Sequence, residues 1–464
     1  MSSSSNITSG FIDLATFDEL EKYLYGGASA TAYFVRETRK ATWFTQVPVV
    51  LSRGNGNAEF GTDHAVNISR AGDYLIHAWL RVNIPSVTLL SGNQFSSNGR
   101  IRWTRNLMHN LIAECNISFN DLVAARFDNY HLDFWAAFTV PAGKLNGYRN
   151  MIGDFDDLTA PHAPNDPLPA FTLNLPLPFF FSRDSGIALP TAALPYNEMR
   201  ITYTFRNWNE LLILDNLAAG LANPSTVPVV PTDIATAPVL GLVQTWANYA
   251  IVSNDERKRM ACAPRNILIE QVQTAPLQTF NPNTNTQPLY DLRFSHAIKV
   301  MFFAVRNISV PNEWSNYTAA TPVPGPSAVS FSPSGAVDPI VTTSLTYENT
   351  ARLQNMGSDY YSLVQPWYHA PVIPTETGYH MYSYSLDFIC LDPKGSTNYG
   401  KLTNVSIGPV ASTGAINGAL GNGLNGNTGI SFAQTYRFIT TVVNNNIIRI
   451  SGGKPKVLPT VECQ

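Results

Sequence analysis

From residue 43 to residue 450 the chain repeats one pattern: short runs rich in aromatic and β-branched residues, broken by glycine, proline and asparagine. Tyr-Leu-Ile-His-Ala-Trp-Leu-Arg-Val-Asn-Ile, starting at Tyr74, sits between Gly72-Asp73 and Pro85, and Met-Arg-Ile-Thr-Tyr-Thr-Phe, starting at Met199, alternates apolar with polar. Period-two runs bounded by turn residues predict strands. Further strands are expected over 43–51, 64–69, 101–103, 111–119, 173–181, 243–252, 267–272, 292–294, 298–305, 344–347, 381–388 and 446–450. Long surface helices need Glu and Lys on their outer face, and only 14% of this chain is charged. The pattern therefore excludes a helical bundle and predicts an all-β protein.

At 464 residues the chain is too long for one such sandwich. The Pro- and Ala-rich stretch 216–242 reads as a linker or one long surface loop. Around it the sequence divides into an amino-terminal arm (1–40), a first β-domain (41–215), a second (243–452) and a carboxy-terminal tail (453–464). A segment at 121–139 reads as helical or mixed. Long loops are expected at 141–169, 321–339 and 408–429. A weak internal echo pairs Met108-His109-Asn-Leu-Ile with Ser295-His296-Ala-Ile-Lys, and Pro178-Phe-Phe with Pro366-Trp-Tyr. It suggests duplicated β-sandwiches of the jelly-roll type.

The arm is different in kind. Phe17, Leu20 and Leu24 fall at helical spacing, Thr16 is placed to cap the helix with Glu19 completing a capping box, and Gly26-Gly27 ends it. A short amphipathic helix needs a surface to lie on, either its own domain or a neighbouring subunit or inner layer.

The search for chemistry returns little. Cys115, Cys262, Cys390 and Cys463 are far apart and form no CxxC pair, so they are expected to be reduced and inert. The eight His are scattered, with no HExxH motif. His131-Leu-Asp133 reads as a helix surface or turn rather than two metal ligands, and the acids of Gly153-Asp-Phe-Asp-Asp157 as a solvated loop. Ser182-Arg-Asp-Ser185 has no neighbouring histidine, and no GxSxG elbow occurs. Arg100, Arg102 and Arg105 stand either for anionic partners or for ion pairs between subunits. A net charge of −3 argues against a nucleic-acid surface. No apolar run nears the ~18 residues of a membrane span, the amino terminus carries no signal-peptide pattern, and the Asn-x-Ser/Thr matches are expected to be chance.

A run from Leu175 is more specific: Leu-Pro-Leu-Pro-Phe-Phe-Phe-Ser-Arg-Asp-Ser-Gly-Ile-Ala-Leu-Pro-Thr-Ala-Ala-Leu-Pro-Tyr-Asn-Glu-Met-Arg-Ile. It resembles a signature of the major capsid proteins of large cytoplasmic DNA viruses, closest to the iridoviruses of the invertebrate iridescent group. The resemblance runs along nearly the whole chain. It includes Asn6-Ile-Thr-Ser-Gly-Phe-Ile-Asp-Leu-Ala-Thr-Phe-Asp18, Arg102-Trp-Thr-Arg-Asn-Leu-Met-His-Asn110, Ser118-Phe-Asn-Asp121, Arg293-Phe-Ser-His-Ala-Ile-Lys299, Tyr360-Tyr-Ser-Leu-Val-Gln-Pro366, Gly395-Ser-Thr-Asn-Tyr-Gly400 and Asn446-Ile-Ile-Arg-Ile450. Pro393-Lys394-Gly395 departs from the Pro-Ser-Gly of the broader family.

The resemblance implies a double jelly roll, two eight-stranded antiparallel β-sandwiches per chain with an amino-terminal helical arm. It implies no enzyme, no cofactor and no metal. It implies a homotrimer of pseudo-hexagonal outline, a capsomer that meets neighbouring capsomers and minor capsid proteins in an icosahedral shell. That shell would be assembled in the host cytoplasm around a membrane and a DNA genome, with the arm on its inner side near the membrane and no direct nucleic-acid contact. Phe17, Leu20 and Leu24 are the expected assembly residues. A glycan- or receptor-binding β-sandwich is the alternative reading, and a β-sandwich hydrolase a more distant one.

Overall fold

The computed structural model describes residues 3–54, 56–194, 197–217, 227–262, 265–282, 288–319, 338–421, 433–451 and 454–457. It divides into an arm, up to Trp43, and a body that starts at Phe44. The arm carries two helices, α1 (Ser3–Ala15) and α2 (Glu19–Tyr25). Thr16 does not cap α2: its hydroxyl bonds to the Asp13 carbonyl and closes α1. The cap is Asp18, and the box is completed by Glu21. The aspartate carboxylate reaches the orphan amides that the Thr16 hydroxyl, one turn-step earlier, does not. Phe17, Leu20 and Leu24 are all exposed.

In the body, eleven strands come first: β1 (Phe44–Val50), β2 (Ser52–Arg53), β3 (Asp63–Asn67), β4 (Tyr74–Ile84), β5 (Gly99–Trp103), β6 (Ile112–Phe119), β7 (Leu122–Asp128), β8 (Phe171–Pro176), β9 (Met199–Phe205), β10 (Leu212–Asn216) and β11 (Val243–Val252). They build one sheet in the order β1-β11-β4-β8, a facing sheet β2-β3-β9-β6-β7, and the pair β10-β5. The next strands are β12 (Arg265–Thr274), β13 (Gln278–Phe280), β14 (Tyr290–Asp291), β15 (Ala297–Asn307), β16 (Ile340–Tyr347), β17 (Thr350–Gly357), β18 (His380–Ser383), β19 (Thr397–Asn398), β20 (Val405–Ala411), β21 (Tyr436–Ser451) and β22 (Lys454–Val457). Their sheets run β12-β21-β15-β18 and β14-β20-β16-β17, with β13, β19 and β22 added to the first.

Leaving aside β2, the separate β10-β5 pair, β13, β19 and β22, each barrel has eight strands that can be counted in chain order. In both, one sheet then reads first-eighth-third-sixth and the other second-seventh-fourth-fifth. That is the jelly-roll order, so the fold is a double jelly roll. The match extends to irregularities. The third strand of each barrel is 11 residues long and bulges at its third residue, Ile76 in β4 and Lys299 in β15. The fourth strand of each bulges at Ala113 and Val341. Bulges fix register. With them aligned, Leu51 falls on Ala275, and both donate their amide to the eighth strand, at Thr245 and Thr440.

Three expectations need correcting. Residues 243–252 do not open the second barrel. As β11 they are the closing strand of the first, hydrogen-bonded between β1 and β4, because a jelly roll returns its last strand beside its first. The stretch 227–242 is no free linker: Val229, Ile234 and Leu240 are buried with the first core. The 108/295 and 178/366 echoes do not superimpose. Residue 108 follows the third strand of its barrel and 295 precedes it; residue 178 follows the sixth and 366 precedes it. The duplication lies in topology, not in those words.

The expected loop at 141–169 contains two helices. Between β6 and β8 the order is β7, α4 (Asn129–Thr139), α5 (Ala142–Ile152) and α6 (Asp156–Thr159); an earlier turn, α3 (Leu107–Leu111), precedes β6. Asp128 caps α4 through the His131 amide. Later helices are α7 (Trp208–Leu211), α8 (Asn254–Cys262) between the barrels, α9 (Gln365–His369) and α10 (Thr413–Ala419). Of the other expected loops, 321–337 and 422–429 lie outside the described residues.

Candidate functional site

The feature that makes one unit of two barrels is the seam between them. It begins with a contrast legible in strand chemistry. In β4, Ala78, Leu80, Val82 and Ile84 point into the first core, while His77, Trp79, Arg81 and Asn83 point outward and remain partly or fully exposed. In β15 both faces are buried. Met301, Phe303 and Val305 join the second core, and Val300, Phe302 and Ala304 join a separate apolar cluster on the outer face. A strand buried on both sides reads as a continuous apolar run, which is what Val300–Val305 shows.

The cover is α4 of the first barrel. It leaves β7 directly and lays Tyr130, Phe134 and Phe138 on the outer face of β15, β18 and β21. The Phe134 and Phe138 rings stack on Phe302 at 5.8 and 5.3 Å and meet Tyr379 edge-on at 6.0 and 6.5 Å. Offset and edge-on geometries are the favourable ones for aromatic rings.

Polar groups fix the seam's register. Asp133 is fully buried and accepts from His109 Nδ1 at 2.8 Å, from the Tyr317 hydroxyl at 2.8 Å and from the Ser315 hydroxyl at 3.0 Å. His109 Nε2 lies 2.6 Å from the Tyr148 hydroxyl. Burial, with the Asp133 charge added, pushes the Tyr317 phenol well up, so it stays a donor. Arg105 meets Asp154 at 3.2 Å and Glu376 of the second barrel at 2.6 Å, and Arg149 meets Glu376 at 2.7 Å. Burial alone would lower the Arg105 pKa; Glu376 and Asp154 reverse that and hold it well above its usual value. Burial likewise works to raise Asp154, and Arg105 outweighs it and holds the carboxyl below its usual value. Arg102 meets Asp215 at 2.8 Å and Glu313 at 3.6 Å. The guanidinium groups of Arg206 and Arg306 both lie against the Trp314 ring, 3.8 and 4.0 Å from its centroid.

These placements answer the sequence expectations. Arg102 and Arg105 serve ion pairs within the chain, not between subunits, because loops of the second barrel bring Glu313 and Glu376 to them. His131 and Asp133 do not converge on a common ligand. Asp133 belongs to the seam, whereas both His131 ring nitrogens are buried without a hydrogen-bond partner. Burial, aided by the Arg183 charge, lowers the His131 pKa to about 3. The Ser182 hydroxyl bonds to the Leu177 carbonyl, a turn contact. Cys115 is buried and Cys390 half-buried, both free thiols. Among the described residues no group of three or more His, Cys, Asp or Glu side chains is placed to hold a metal ion. The seam itself was missed by sequence reasoning, although the unbroken apolar run in β15 signalled a covering partner.

Among the described residues of the body, the first barrel's outer face has no such cover. Its open groove, about 570 Å³, lies between β4 and β8 on one side and α4 and α5 on the other, and is lined by Trp79, Trp135, Met151, Pro176 and Arg183 among others. Trp79 stacks on Trp246 of β11 at 6.1 Å. An open groove with mostly apolar walls and a few polar groups is a candidate binding site.

Known proteins agree with a structural role. Residues 32–252 match a family model described as the major capsid protein N-terminus, and residues 256–454 match that of the large eukaryotic DNA virus major capsid protein. The boundary between the two matches falls after β11, as in the structure. The major capsid protein of Invertebrate iridescent virus 6 is 66% identical over 459 residues, covering 97% of this chain and 98% of the relative. That of Lymphocystis disease virus 1 is 50% identical over 451 residues, covering 97% of each. Among solved structures, PBCV-1 Vp54 matches with a TM-score of 0.72 at 20% identity, over 93% of this chain and 100% of that one. The Faustovirus major capsid protein matches with a TM-score of 0.67 at 12% identity, over 94% of each; both bear on the fold. The chain belongs to the major capsid protein family of large eukaryotic DNA viruses, a structural and non-enzymatic component of the virion capsid with iridescent virus proteins as its relatives.

Proposed function

We propose that three copies close into a trimeric capsomer of pseudo-hexagonal outline, and that capsomers tile an icosahedral shell around an internal membrane and the DNA genome. One observation carries this reading: the two barrels share strand order and bulge positions. A three-fold assembly of such chains presents six near-equivalent flanks, as a hexagonal lattice requires, and closed symmetry makes each contact recur. Individual lattice contacts need only be weak, since many form together.

The arm is proposed to work on the inner side of the shell, against minor capsid proteins or the membrane, with Phe17, Leu20 and Leu24 as its anchors. Their support is exposure: Leu20 and Leu24 are 66% and 61% exposed on the capped helix α2, and Phe17, just before its cap, is 49% exposed. The balanced charge supports a shell without direct hold on nucleic acid, and the free thiols of Cys115 and Cys390 support assembly in the reducing host cytoplasm. Sedimentation and negative-stain imaging of the purified chain test the capsomer: three-fold, hexagon-like particles are expected, and a chain that stays monomeric at every concentration overturns it. Deleting residues 1–30 tests the arm. Trimers are expected to persist while shell assembly fails, and unimpaired shells would refute the anchoring role.

A further inference from the structure

The seam inside one chain describes a second contact that a single chain leaves unmade. In the first barrel the helix α4 leaves the fifth strand and covers the outer face of the second barrel. In the second barrel a helical segment, 358–369, also leaves the fifth strand, β17, directly. The bulge alignment of the fourth strands makes Asp128 and Gly357 equivalent, paired with Glu114 and Thr342. Counting on from there, and allowing one residue for the π turn at Tyr360–Val364, the places of Phe134 and Phe138 fall at 363–364 and 367–368. Phe134 and Phe138 are fully buried, whereas Trp367 and Tyr368 are 71% and 72% exposed.

The receiving face shows the same relation. The third-strand bulges place His77, Trp79 and Arg81 where Val300, Phe302 and Ala304 stand in the second barrel. Phe302, the ring on which α4 stacks, corresponds to Trp79, at the edge of the open groove. One barrel therefore carries a covered face and the other an uncovered one, and one helix is seated and its counterpart is not.

Resting on the trimer reading, we infer that segment 358–369 of a second copy of this chain docks in the groove on the first barrel's outer sheet, with Trp367 against Trp79. The groove supplies a polar anchor as well. Arg183 lines it, is held by Glu270 at 2.9 Å and lies over Trp135 at 3.7 Å. Its Nε and Nη1 are buried with no hydrogen-bond partner. Burial closes both atoms to a docking copy, so what Arg183 offers the groove is its charge, which suits the carbonyl end of an incoming helix, where the last C=O groups carry the negative end of the helix dipole.

The test uses the full chain. Trp367→Asp changes an exposed side chain, so the monomer should melt at the wild-type temperature, while trimer association weakens at least about thirty-fold, as expected for a central tryptophan of an interface. With Cys262, Cys390 and Cys463 replaced by serine and the buried Cys115 kept, a double variant, Trp79→Cys with Trp367→Cys, treated with a short bis-maleimide, should give covalent dimers and trimers on a denaturing gel that neither single variant gives. If trimers form but Trp367→Asp leaves them intact and the double variant yields no covalent ladder, this docking is wrong and the trimer stands. A wild-type chain that never trimerises removes both.

Discussion

Phe138 of α4 lies against Phe302 of β15 with ring centroids 5.3 Å apart and planes 21° apart, one ring from each barrel. Both are fully buried, and the pair is the centre of the aromatic cluster that joins the two jelly rolls.

Truncating that contact should loosen the joint. Phe302→Ala is expected to cost about 3–5 kcal/mol, the range for deleting a buried phenylalanine ring. Chemical denaturation should show a lower midpoint and two separated transitions where the wild type unfolds as one. A midpoint unchanged from wild type would refute the assignment of Phe302 to the joint.

Asp133 is the seam's polar hub. Asp133→Ala strands His109, Ser315 and Tyr317 without their acceptor, and unpaired buried groups are costly. A loss of roughly 3–5 kcal/mol is expected, comparable to breaking a buried ion pair from one side. Asp133→Asn keeps one acceptor and should lose distinctly less. Equal losses in the two variants would mean that hydrogen bonding there is not what matters.

His131 makes the body acid-sensitive. Its folded pKa is about 3 against about 6.5 when unfolded. Between those values the unfolded chain binds the extra proton, so stability falls as pH drops from about 6.5 toward 3, at up to about 1.4 kcal/mol per unit. His131→Phe keeps a ring beside Phe127 and Trp135 and removes two unsatisfied nitrogens. Melting temperatures at pH 7 and pH 5 should converge in the variant, and an undiminished gap would contradict this account.

Arg105 ties Asp154 to Glu376. Removing it as Arg105→Met leaves the buried Asp154 and the part-buried Glu376 with Arg149 as their remaining cation, at an expected cost of about 3–5 kcal/mol near neutral pH. The Asp154 carboxyl is held below its usual value in the fold, so its contribution is present above the unfolded pKa and is lost as pH falls through the folded one. The deficit of the variant should therefore narrow in acid. A deficit that does not change between pH 7 and pH 3.5 would show that charge at Asp154 plays no part.

Much of the architecture is legible in local chemistry. Tyr74–Ile84 and Met199–Phe205 are strands over the residues their alternation marks. What local chemistry hides is partnership. β11 looks like any half-buried strand, and only its pairing with β1 and β4 assigns it to the first barrel. α5 was hidden because Gly143 and Gly147 and a mostly polar face give little helical periodicity. It is held by packing against β8 and the Tyr148–His109 bond, not by propensity. Asp133 looked like a surface acid because its partners, Ser315 and Tyr317, are far along the chain. The exposed Trp367 carried no message until the buried Phe138 gave it a counterpart.

Pro48 lies in the middle of β1, at the edge of its sheet. Leu51 turns its amide toward β11, and by strand alternation Val49 and Val47 turn theirs the same way, so the ring nitrogen of Pro48 faces the open side. Proline there has no hydrogen to offer a passing strand. A strand laid along that edge would find its ladder broken at Pro48, which weakens backbone-to-backbone pairing there. Copies that touched there by accident would part more readily than copies joined by an unbroken ladder.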